Sequence, residues 1–108
     1  MTSKENRTPL PFVDSIDPSS VKQNSTDKIT INGRNFPGYD ADGDLQSAVL
    51  VEDPDQNKLF FLEPTYVSAM QLEVALITDF TGVKGNKTIK VHSLDNGDLS
   101  NGVTLVVE

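Results

Sequence analysis

The chain contains neither cysteine nor tryptophan. Without cysteine, the fold owes nothing to disulfides, thiolate metal sites or a thiol nucleophile. Without tryptophan, the largest stacking side chain for a sugar ring is missing. Bases are scarce as well: 9 lysines and arginines stand against 16 acids, for a net charge of −7. Beyond Lys4 and Arg7 they are scattered singly, at Lys22, Lys28, Arg34, Lys58, Lys84, Lys87 and Lys90. No cluster neutralises several adjacent phosphates, so neither nucleic acid nor an anionic membrane surface is an expected partner. No apolar run approaches the ~20 residues of a membrane span. Residues 1–10 include Lys4, Glu5 and Arg7 but no apolar h-region, so no signal peptide is expected there. The chain ends at Glu108 directly after a strand-like run. That ending favours a domain of a longer surface protein over a cytoplasmic or virion protein complete in itself.

What is present suits one folded unit. A length of 108 residues is that of one domain. At 36% hydrophobic and 23% charged residues it has a globular balance and enough apolar mass for a single core. Residues 1–10 are polar and aperiodic, which predicts a flexible tail before a folded domain over 11–108.

From Phe12 onward, short runs alternate with turn chemistry. Strands are predicted at Phe12–Ile16, Lys28–Asn32, Ala48–Val51, Lys58–Leu62, Tyr66–Ile77, Thr88–His92 and Gly102–Val107. Ile29 and Ile31 point to one face, as do Leu72, Val74 and Leu76, and again Val103, Leu105 and Val107. Pro18 closes the first strand, Gly33 is expected to end the second with a positive φ, and Asn96-Gly97 marks a tight turn. The segment Thr78–Asn86 reads as a loop. Seven short strands without a helical period imply an all-β sandwich or barrel.

Four stretches together resemble the IPT/TIG domains. They are Val13–Val21, Asp27–Phe36, Val67–Val74, and the pair Gly85–Val91 with Ser100–Val107. The likeness spans residues 11–107. It implies an immunoglobulin-like, E-set type antiparallel β-sandwich of about seven strands. Such modules occur in plexins, transcription factors, starch-acting enzymes and bacterial surface proteins, and share no catalytic residues. The resemblance therefore implies a non-catalytic structural or protein-interaction module, a spacer or docking domain of a larger bacterial or phage surface or assembly protein. The alternative is a carbohydrate-associated accessory module. The expected partners are accordingly neighbouring domains or proteins, with carbohydrate second.

Three local features carry candidate chemistry. Asp40, Asp42 and Asp44, spaced two apart around Gly43, are candidate ligands for Ca²⁺. The spacing is similar to the start of an EF-hand loop, but the glycine is displaced and Val51 stands where the bidentate glutamate belongs. The competing reading is a solvated Asp/Gly turn. Phe60 and Phe61 are adjacent on a strand and must point to opposite faces, so one is core. Phe61, with Tyr66 or Tyr39, is then the candidate platform for a partner or a sugar. His92, the single histidine, points outward by alternation from Ile89 and Val91, and no nucleophile motif accompanies it.

Overall fold

The computed structural model describes residues 9–108, so most of the expected tail over 1–10 lies outside the described residues. Its strands are β1 (Phe12–Asp17), β2 (Ser20–Val21), β3 (Lys28–Arg34), β4 (Ser47–Asp53), β5 (Lys58–Leu62), β6 (Thr65–Ser68), β7 (Gln71–Ala75), β8 (Gly85–Ser93) and β9 (Val103–Val107). A helical turn, α1 (Thr78–Thr81), precedes β8. Two sheets face each other: β1-β3-β7-β6 and β2-β9-β8-β4-β5. Ile29, Ile31, Leu72 and Val74 from the first sheet meet Val49, Val51, Ile89 and Val91 from the second, all buried in one core. The sheet alternation thus places every second residue inside, each worth about 1.5–3 kcal/mol when fully buried.

The fold is the expected immunoglobulin-like sandwich, with four differences of detail. The run expected as one strand from Tyr66 to Ile77 is a hairpin of β6 and β7. The turn between them lacks Gly and Pro, and Ser68 Oγ accepts the N–H of Met70 to form it. β2 is only two residues long and pairs with β9 in parallel, so the sandwich is not wholly antiparallel. The loop expected over Thr78–Asn86 contains α1, which seals one end of the core with fully buried Phe80. Finally, Gly33 does not end β3. It lies within the strand opposite Val13, and the positive φ falls on Asn35 at 62°. Glycine is required at 33 by crowding: a Cβ would fall on the Phe12 carbonyl oxygen and 2.7 Å from Phe36 Cζ. Phe36 does fold back under the sandwich, as expected, and is buried there.

Polar groups complete the interior. The Asn101 side chain serves Val13 as a substitute strand, accepting its N–H at 2.8 Å and donating to its carbonyl at 2.9 Å. This ties β1 to the segment leading into β9. At the end of the core, Lys87 on β8 and Asp53 on β4 are both fully buried and face each other, Nζ to Oδ1 at 2.9 Å. Lys87 also reaches Asp55 Oδ2 at 3.2 Å. The Asp53 carboxylate further accepts the N–H groups of Asp55 and Gln56 and the Gln56 side-chain amide. Burial pushes the Asp53 pKa up. The hydrogen bonds from Lys87 and Gln56, with the ammonium charge, outweigh burial and hold it below its ordinary value.

Removing one member of a buried pair strands the other. Lys87→Met should cost about 3–5 kcal/mol in urea denaturation at neutral pH. Lys90→Met, which breaks the half-exposed Lys90–Glu52 pair at 3.0 Å, should cost less than about 1 kcal/mol. The depressed pKa makes ionised Asp53 a stabiliser of the wild type above the unfolded value of about 4, lost as pH falls through the lower folded value. In Lys87→Met the ammonium no longer offsets burial and only the hydrogen bonds from Asp55 and Gln56 remain, so the Asp53 pKa should rise from its wild-type value and protonation should relieve part of the penalty. The stability gap between the two proteins should therefore narrow as pH falls below about 4. A gap that stays constant or widens contradicts this account.

Candidate functional site

The two outer faces of the sandwich differ in chemistry. On the four-stranded sheet, the outward pairs of the two central strands are Lys28 with Ala75, Thr30 with Glu73, and Asn32 with Gln71, while Phe12 and Val67 are exposed on its edge strands. On the five-stranded sheet, Leu50 is paired with Phe61 on one side and Lys90 on the other, and Ala48 with His92. Leu50 is buried although it points away from the core, because its cross-strand neighbours cover it. Leu59, Phe61, Leu94 and Leu99 remain exposed, Phe61 to 61%.

Phe61 points to this outer face from the edge strand β5, as alternation along the strand requires. Phe60 turns inward, packs against the core and meets Phe80 with ring centroids 5.6 Å apart. Phe61 turns outward and meets the His92 ring at 6.0 Å. Beside it lies a groove of about 380 Å³, walled by Leu45, Ala48, Phe61, Leu62 and Leu94, with Glu63 at its edge. The Asp53 network anchors the turn between β4 and β5. Through Gln56, which donates to the Asp79 carbonyl at 2.9 Å, it also ties that turn to α1. The buried ion pair therefore holds the hairpin that presents Phe61.

The other expected site residues are distributed differently. Tyr66 lies on β6 in the opposite sheet, packs against the core and meets Tyr39 edge-on at 5.8 Å. It is not brought onto the Phe61 surface. Asp40, Asp42 and Asp44 do converge, with one oxygen from each within 4.8 Å of the others. Asp40 also closes its own loop: Oδ1 accepts the N–H groups of Asp42 and Asp44, each at 2.9 Å, and Oδ2 accepts the Gln46 amide. His92 points outward as expected. Its Nδ1 is buried and meets no hydrogen-bond partner among the described residues.

Residues 11–107 match the profile of the IPT/TIG domain. The chain belongs to the IPT/TIG family. IPT/TIG domains are non-enzymatic immunoglobulin-like modules, found in plexins among other proteins. No curated protein matches this chain. Among solved structures it is similar to the full extracellular region of plexin A4, with a TM-score of 0.64 over 90% of this chain and 13% identity. It spans 11% of that plexin chain, and at this identity the likeness is one of fold alone. This IPT/TIG domain has no helix among its described residues long and apolar enough to cross a membrane.

Sequence reasoning found Phe61 and missed its setting. Leu59, Leu94, Leu99 and the groove come together only through the pairing of β5, β4 and β8. The missed interior pair was visible in parity: Lys87 shares alternation with Ile89 and Val91, and Asp53 with Val49 and Val51.

The Asp40 loop yields a test of its own. Asp40→Ala removes three hydrogen-bond acceptances and should cost about 1 kcal/mol in metal-free buffer. Asp42→Ala should stay within about 0.5 kcal/mol of wild type. Equal losses in chemical denaturation would show that Asp40 does not close the turn.

Proposed function

We propose that this chain is a non-catalytic spacer and docking module of a larger bacterial or phage surface or assembly protein. It holds neighbouring domains or protein partners on the outer face of its five-stranded sheet. The observation that carries this reading is the exposed apolar cluster gathered around a groove on the outer face of the five-stranded sheet. A sandwich needs only the inner face of each sheet for its core, so folding alone does not call for Leu59, Phe61, Leu94 and Leu99 on the outside. An apolar surface gathered around a groove and rimmed by polar residues is the usual composition of a docking site.

A carbohydrate-associated role is the second reading, supported by the exposed ring of Phe61. On a glycan array it requires saturable binding that Phe61→Ala abolishes, and a blank array removes it. Ca²⁺ binding by Asp40, Asp42 and Asp44 is a separate proposal, supported by the convergence of their oxygens. Calorimetry with millimolar Ca²⁺ should show heat that Asp42→Ala abolishes, and an absence of heat removes that site.

For the docking reading, the double variant Phe61→Ser with Leu94→Ser should stay folded and lose only about 1 kcal/mol in urea denaturation, the cost of uncovering Leu50. It should lose proteins that co-purify with the wild-type chain from its native source. Met70→Ser, an exposed change on the hairpin of the other sheet, should retain them. Retention by the double variant contradicts the reading, as does turnover of any substrate by the purified chain.

A further inference from the structure

Glu63 is the one charged residue lining the groove beside Phe61, and a second acid, Asp95, lines the recess next to it. Leu45 and Leu94, two of its apolar walls, are followed in the chain by Gln46 and Asp95. Those two residues, with Asp40, Gly38 and Tyr39, line a second recess of about 200 Å³. The Leu94 N–H donates to the Gln46 carbonyl at 2.8 Å, so one pair of backbone segments walls both recesses. Neither recess is lined by a lysine or an arginine. The bases of this sheet face are engaged or displaced: Lys90 is paired with Glu52, and Lys58 lines a different recess with Glu52, Leu59 and Thr88.

We infer that the occupant of the Phe61 groove is a protein segment that places an apolar side chain between Leu45, Ala48, Phe61 and Leu94 and sets lysine or arginine side chains against Glu63 and Asp95. A groove of about 380 Å³ is large enough for a leucine or aromatic side chain. Its apolar walls supply the non-directional part of the affinity. The acidic rim selects the sign of the partner and speeds encounter. A second copy of this chain is a poor occupant, because it would bring acid against acid with −7 on each side. An anionic glycan or lipid headgroup meets the same repulsion. The inference rests on the docking reading above and adds to it the charge and chemistry of the partner.

The test uses the whole chain labelled for NMR and two short peptides that share one leucine and threonine pattern. One peptide carries lysines and the other glutamates at the same positions. The lysine peptide should shift the amides of Ala48, Phe61, His92 and Leu94, and its affinity should fall as salt is raised. The glutamate peptide should leave those amides unmoved. Glu63→Gln with Asp95→Asn should weaken the lysine peptide roughly fivefold, the size expected for two rim charges. Phe61→Ser should abolish its binding while the spectrum stays folded. Equal binding of the two peptides overturns the charge inference and leaves the docking face intact. Shifts by neither peptide on this face overturn both. Concentration-dependent self-association that perturbs Phe61 makes a second copy the occupant and overturns the inference.

Discussion

The contact between Lys87 and Asp53 joins the two central strands of the five-stranded sheet where the apolar core ends. Two charges removed from water must find each other or stay costly, so the pair fixes β4 against β8 in one register. The same carboxylate gathers the backbone of the turn that follows, and through Gln56 it reaches α1. Core, turn and helical plug therefore meet at one anion. Gly85, at the start of β8, fits the same arrangement: a Cβ there would fall on the Asp55 carboxylate. Moving any one of these parts leaves a buried charge without its counterpart.

That interior constraint reaches the surface through β5. The strand is an edge, paired only with β4, and edges without support are prone to slip or to pair wrongly. Anchoring the turn before it keeps Phe61 opposite Leu50 and beside His92. The apolar outer face is thus a consequence of register as much as of composition. The central strands of the other sheet, built on the same alternation, set Thr30, Asn32, Gln71 and Glu73 outward, so alternation by itself imposes no such surface.

Much of the fold could be read directly from residue order. β3, β8 and β9 carry strict alternation, and two of the four stretches resembling IPT/TIG domains fall on them, the other two on β1–β2 and β6–β7. Three things resisted that reading for physical reasons. The β6–β7 turn uses a serine hydroxyl where glycine or proline would have signalled it. β2 is too short to carry a period. Gly33 reads as a conformational device, yet its role is space, because the Phe12 backbone passes too close for any side chain. The site was legible only in part. Phe61 could be assigned to an outer face by parity, but the leucines around it come from three separate segments. Lys87 and Asp53 had the right parity for the interior, and their charge argued for the surface until each supplied the other's counterion.

The central claim is that the outer face of β5, β4 and β8 is covered in the working protein. Hydroxyl-radical footprinting of the gene product in its native assembly, set against the purified chain, tests this directly. The account predicts that Leu59, Phe61 and Leu94 are protected in the assembly while Val67 and Met70 on the other sheet's hairpin oxidise equally in both. Phe61 and Leu94 oxidising at the same rate in both states would contradict it.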